Sequence, residues 1–224
     1  MKTILEEGVN ILRQGDSDIE AVIAPRHEEI ISHLSKYIAE IETFNPAYGL
    51  VGTTDLKELI IKHILDSLAP LGIIYRLLVK MPSHNIADAG SGAGLPGIPL
   101  AIALPRFYIT LIERMGRRAG FLWNTKASLG LSNITVEEGE IERTAPGSFQ
   151  LITFRAFQTL EPKLLKALFR ACAKGGCLAA YKGRRKKIEE EMAPLEKFCG
   201  SWEAIPCPVP FLEEERHLLI ITPP

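Results

Sequence analysis

Between Asp88 and Gly97 the sequence reads Asp-Ala-Gly-Ser-Gly-Ala-Gly-Leu-Pro-Gly, with glycines at 90, 92, 94 and 97. Glycine takes positive φ without a Cβ penalty and lets a ligand approach the main chain closely. A helix opening at Leu95 and beyond would present free N–H groups and the positive end of its dipole. Pro96 suits the first turn of such a helix. A tight turn needs fewer glycines, so the chemistry implied is a polar ligand held against the loop. Two ligand classes compete. Gly92-Ala93-Gly94-Leu95-Pro96-Gly97 satisfies G-x-G-x-x-G, and Glu113 follows at about 20 residues, the spacing of a ribose-binding acid in a dinucleotide site. Asp88, however, stands just before the first glycine, where a pyrophosphate would be repelled and a cation favoured. S-adenosylmethionine carries a positive amino group and a positive sulfonium. Asp-x-Gly-x-Gly-x-Gly with an acid at the end of the next strand therefore favours the methyl donor, with Glu113 accepting the ribose hydroxyls.

The methyl acceptor is expected beside the end of the fourth strand, at Phe154-Arg155-Ala156. An Asn/Asp-Pro-Pro-aromatic loop, suited to exocyclic amines, is absent there. Methylation of a pyrimidine C5 needs a cysteine nucleophile, and Cys207 lies well downstream, so a buried or solvated thiol is the expected reading. A 2′-hydroxyl acceptor would need a Lys-activated site with an Asp after this strand, and there is none. Guanine N7 survives these exclusions. Its lone pair is unprotonated at neutral pH, so alignment and desolvation replace a general base.

These residues require a scaffold. Ile30, Ile31, Leu34, Tyr37, Ile38 and Ile41 recur at helical spacing, predicting a helix from Pro25 to Thr43 that Asn45-Pro46 stops. A second helix is expected over Asp55–Leu68, with Asp55 and Glu58 as a capping box. After Pro82 short apolar runs at Asn85–Ala89, Tyr108–Ile112, Ile134–Glu137, Leu151–Thr153, Cys177–Tyr181 and His217–Thr222 read as strands. They alternate with helical patterns near 97–103, 115–129, 161–173 and 185–198. This predicts an α/β fold, a mostly parallel sheet with helices on both faces, spanning 82–224 behind a helical extension over 1–81.

Over 224 residues, 46% are hydrophobic, enough for a sizeable core, and 26 basic against 27 acidic residues exclude a polycation. Nucleic acid is not excluded, because binding needs a local basic patch. The four cysteines form no C-x-x-C pair, so reduced thiols in a cytoplasmic protein and no metal site are expected. No apolar run approaches the roughly 20 residues of a membrane span.

Five segments together resemble the RsmG (GidB) family of bacterial enzymes that make 7-methylguanosine in the 530 loop of 16S ribosomal RNA. They are Lys62-His63-Ile64-Leu65-Asp66-Ser67, the block from Asp88 to Leu100, Arg155-Ala156, Lys182-Gly183, and Arg216 to Ile221. The match runs in order from about Phe44 to Ile221. It implies a Rossmann-like class I methyltransferase sheet with S-adenosylmethionine at the glycine loop. By motif, Asp88, Gly90, Gly92, Gly94, Leu95 and Glu113 would hold the cofactor, Ile141 and Glu142 would flank its adenine, and Arg155 would line the pocket. The family's Arg-Ala-Glu run reads Glu140-Ile141-Glu142 here. His63, Lys182, Arg184 and Arg185 are the candidates for contact with 16S rRNA or the small ribosomal subunit, in a chain expected to act as a monomer. Glu189, Glu190 and Glu191 offer the basic run an alternative, pairing at i,i+4 on its own helix. Two rival functions are a dinucleotide-dependent oxidoreductase and an RNA-binding protein with a non-catalytic cofactor pocket.

Overall fold

A computed structural model describes residues 2–156 and 159–224. Seven strands form one sheet: β1 (Asn85–Ala89), β2 (Tyr108–Glu113), β3 (Ile134–Glu138), β4 (Phe149–Arg155), β5 (Cys172–Lys182), β6 (Ser201–Pro206) and β7 (His217–Thr222). Their order is β3-β2-β1-β4-β5-β7-β6. β1 to β5 pair in parallel, and β7 runs antiparallel to both β5 and β6. The strand order reverses between β1 and β4, the place in an open sheet where ligands gather at the carboxyl ends.

Alternate strand residues feed two cores, as a period of two requires. Ile86, Ile109, Leu111 and Leu151 pack with the N-terminal helices and the helices Gly97–Ala103 and Gly116–Leu129. Ala87, Ile112, Ile152 and Phe154 pack against the helices Pro162–Ala171 and Arg185–Met192. The expected α/β architecture is therefore present, with the N-terminal helices built into one face of the sheet.

Several boundaries differ from expectation. The helix His27–Tyr48 runs through Pro46 and stops at Gly49, whose left-handed backbone caps it. The Asn45 side chain then closes the turn, donating to Thr53 O and accepting from the Val51 N–H. Over 56–68 the helix widens into a π segment at Ile60–Leu65, a departure often found at functional sites. Asp55 caps its start, but the Glu58 carboxylate takes Thr53 Oγ1 and Lys62 Nζ, so the capping box is only half formed. β4 and β5 are longer than their apolar cores suggest, because Phe149 pairs with Cys172 before Leu151 pairs with Cys177, and the register shift between them leaves 173–176 outside the pairing. β6 was hidden by its mostly solvent-facing side chains, and Pro194 shortens the preceding helix to Met192.

Asn133 ties this frame together. Its buried amide faces the carbonyls of Ala101, Leu104 and Phe107 at 3.0, 3.3 and 3.2 Å. Asn133→Ala should lower the unfolding free energy by about 2–3 kcal/mol, since buried carbonyls would lose their donor. Urea unfolding should show a lower midpoint at unchanged slope.

Candidate active site

The carboxyl ends of β1 and β2 and the turn after β3 enclose a cleft of about 340 Å³. Gly90, Glu113, Ile141 and Glu142 all line it, with Ile112 beneath and Ala156 at one end. Glu113 is 4% exposed. Its Oε2 accepts the Gly92 N–H and its Oε1 the Met115 N–H, each at 2.8 Å. Each oxygen keeps a lone pair, so a vicinal diol can still be received there. Gly90 takes φ of +68° on the cleft wall, a conformation that a residue with Cβ resists.

The remaining loop residues lie behind the cleft wall. Gly94 and Leu95 donate their N–H groups to the Ser91 carbonyl, and Gly90 and Ser91 donate theirs to Ile112 O. Gly97 donates to Asp88 Oδ2 at 3.0 Å. The expected free N–H at Leu95 is thus absent: the helix begins at Gly97, and the N–H groups of Gly90, Ser91, Gly92, Gly94, Leu95 and Gly97 are bonded to protein acceptors. Asp88 is fully buried, and burial pushes its carboxyl up to about 7 against the opposing Gly97 N–H, Ser91 hydroxyl and Arg155 charge. Its Oδ1 has no hydrogen-bond partner among the described residues. A ligand that carries a diol and a flat base fits this set. Glu113 suits the diol and Ile112 with Ile141 the base, while the fully buried Asp88 lies behind the loop and does not line the cleft.

Arg155 does not face this cleft. It lines a second one, of about 450 Å³, which meets the first at Ala156. Ala156 holds φ of +48°, a strained turn for a non-glycine residue at the end of β4. Arg155 donates to Asp66 Oδ2 at 2.9 Å, to the Lys62 carbonyl at 3.2 Å and to His63 Nδ1 at 3.0 Å. Arg216 reaches the other Asp66 oxygen at 3.2 Å. Burial and then the Arg155 charge hold the His63 imidazole down to about 4. Cys207 also lines the cleft, and burial drives its thiol up to about 12. Asp66 and Arg216 are site residues that sequence reasoning misses, although both lie inside the motif segments that carry the resemblance.

The basic candidates divide. Lys182 lines the second cleft but is paired to Glu191 at 2.7 Å, both half-buried. Arg185 pairs with Glu189 at 3.0 Å on its own helix, and both are exposed. Arg184 is exposed and forms no ion pair among the described residues. The described residues contain no group of three metal-ligating side chains and no helix long and apolar enough to cross a membrane.

A sequence model described as rRNA small subunit methyltransferase G matches residues 30–219. A protein of that name from Treponema denticola is 36% identical, covering 100% of this chain and 97% of its own length. Another from Cellvibrio japonicus is 37% identical, over 90% of each. In structure, a SAM-dependent methyltransferase from Aquifex aeolicus aligns with a TM-score of 0.54 at 14% identity, over 70% of this chain and 93% of its own. That likeness is one of fold.

Asp88 gives the empty loop a pH signature. Its native value near 7 exceeds the unfolded value of about 3.9. Between the two, the native state keeps a proton that the unfolded chain has lost. The unfolding free energy should therefore fall as pH rises from about 4 to about 7, by at most about 1.4 kcal/mol per pH unit. Asp88→Asn should remove this contribution, so urea titrations of both proteins without cofactor should converge at low pH and separate above it. Parallel curves would show that Asp88 titrates normally.

Proposed function

The chain belongs to the rRNA small subunit methyltransferase G family, and from that premise we propose that it methylates guanine N7 in the 530 loop of 16S ribosomal RNA. S-adenosylmethionine, when bound, supplies the electrophilic methyl group. Residues 82–224 carry the cofactor side, with Gly90, Glu113, Ile141 and Glu142 on the wall and Asp88, Gly92, Gly94 and Leu95 shaping the loop behind it. Residues 1–81 contribute Lys62, His63 and Asp66 to the acceptor side, which Arg155 joins to β4. We take Lys182, Arg184 and Arg185 as the RNA-facing basic residues, and the active form as a cytoplasmic monomer.

The observation that carries this reading is the state of the proton acceptors around Arg155. Asp66 is committed to two guanidinium groups and the His63 Nδ1 lone pair to Arg155. The Cys207 thiol stays protonated at neutral pH. Among the described residues lining this cleft, an acceptor that must lose a proton finds no free carboxylate or thiolate. It finds only the His217 imidazole, whose Nδ1–H donates to the Gly183 carbonyl. A pyrimidine C5 finds no thiolate nucleophile. Guanine N7 needs neither. The oxidoreductase reading loses its main support, because the loop N–H groups that would cradle a pyrophosphate are already bonded to Ile112, Glu113, Ser91 and Asp88.

After the protein acts on small subunits lacking the modification, borohydride reduction and aniline cleavage followed by primer extension should give a stop at 7-methylguanosine in the 530 loop. Transfer to another atom would overturn the N7 reading. Calorimetry should show binding of S-adenosylhomocysteine and none of NAD. Glu113→Ala should weaken S-adenosylhomocysteine binding by about 1–3 kcal/mol, the scale of hydrogen bonds to a buried charge. A variant that binds as tightly as the wild type would place the ribose elsewhere.

The ion pairs set a limit on how RNA can be held. Replacing Lys182, Arg184 and Arg185 together by Ala should lower the salt slope of RNA binding by about 0.7–0.9 for each phosphate that is no longer neutralised. With Lys182 and Arg185 already paired to Glu191 and Glu189, the expected fall corresponds to one phosphate, the partner of Arg184. An unchanged slope would move the grip to other residues, such as Arg114 and Arg117.

A further inference from the structure

We propose that His63 is a specificity-determining residue, its Nε2–H donating a hydrogen bond to O6 of the acceptor guanine. The inference deepens the guanine-N7 reading and rests on it.

The tautomer follows from Arg155. A guanidinium can only donate, and its Nη2 lies 3.0 Å from His63 Nδ1. Nδ1 must therefore be the acceptor, and the ring proton resides on Nε2. The hydrogen bonds of the described residues engage the ring through Nδ1 alone, leaving Nε2–H as the donor the imidazole can offer. His63 lines the acceptor cleft beside Arg155 and Ala156, the residue shared with the cofactor cleft. A base presenting N7 towards the cofactor side presents O6 next to it on the same edge. Guanine O6 accepts a hydrogen bond. Adenine carries an amino group at that position and would set two donors against each other.

The charge state suits the reaction. Methylation leaves a positive charge on the purine, which an imidazolium would oppose. Burial and the Arg155 charge keep His63 neutral at physiological pH. Arg155 is ion-paired to Asp66, which it shares with Arg216, so a neutral ring oriented by Arg155 adds no further positive charge beside the base. The π segment Ile60–Leu65 contributes both the ring and the Lys62 carbonyl that also binds Arg155.

The test uses the full-length protein, small subunits lacking the modification, and matching subunits whose target guanosine is replaced by adenosine. His63→Ala should lower kcat/KM on guanine subunits at least about tenfold, with S-adenosylhomocysteine affinity unchanged. It should also narrow the preference for guanine over adenine at N7. His63→Gln keeps one acceptor for Arg155 and one N–H donor for the base, and should restore most of the activity and the preference. Full activity of His63→Ala on guanine subunits would overturn the proposal. So would a His63→Gln variant no better than His63→Ala, or a loss of activity with unchanged base preference. Wild-type protein that transfers no methyl to N7 would overturn the underlying reading and this one with it, an outcome visible before any variant is compared.

Discussion

Asp66 is 6% exposed and charged, and that single constraint organises the acceptor side of the molecule. A buried carboxylate has to be paired, and removal of one partner from such a pair typically costs about 3–5 kcal/mol. Its partners come from distant parts of the chain: Arg155 at the end of β4 and Arg216 just before β7. Satisfying Asp66 therefore pins the helical segment over 56–68 to the carboxyl edge of the sheet. The widened helix at Ile60–Leu65 completes the arrangement, because it lets the Lys62 carbonyl and the His63 ring share the same guanidinium. A helical extension packed on the sheet elsewhere would leave Arg155 without these partners and the cleft without its wall.

On the cofactor side the same principle works through the backbone. Two buried acids brace the glycine loop from beneath: Glu113 holds the Gly92 N–H and Asp88 holds the Gly97 N–H. Their bonds turn the loop's donors inward, which is opposite to the geometry of a phosphate cradle. What remains outward is carbonyl oxygen and carboxylate, a surface of negative character. Gly97 cannot be replaced without conflict, since a Cβ there would lie 2.3 Å from Leu111 and 2.7 Å from Asp88 Oδ2. Gly92 differs. Its φ is +58° and a Cβ would meet only the Gly90 carbonyl oxygen, at 3.9 Å, so within the protein itself glycine is required there by backbone conformation.

The loop, the strand–helix alternation and Glu113 at its strand end were legible in the sequence because each rests on local pattern: glycine spacing, a period of two, a period of 3.6. The segments that escaped it depend on tertiary partners. β6 carries few buried side chains and is a strand because β7 offers it an edge. The π segment has the composition of any apolar helix, and its widening leaves no mark on side-chain spacing. Pro46 reads as a helix stop, yet the Asn45 amide and the left-handed Gly49 carry the turn past it. Arg155 was legible as a site residue by motif, but the choice of cleft is made by Asp66, whose burial no composition reveals.

The two clefts differ in polarity, and the difference divides the labour. One is walled by Gly90, Glu113, Glu140 and Glu142 with Arg114 and Arg118; the other holds Arg155 and Arg216, which share Asp66, and Lys182, which pairs with Glu191. Two guanidinium groups on one carboxylate leave the second cleft with a residual positive charge beside the neutral His63. More exposed cations, such as Arg184, Arg114 and Arg117, lie outside it. Asp66 and the neutral imidazole thereby limit, without cancelling, the positive charge near a base that methylation would make cationic. Ala156, strained at φ of +48°, lines both clefts and so marks where they meet, with a single methyl group as its side chain.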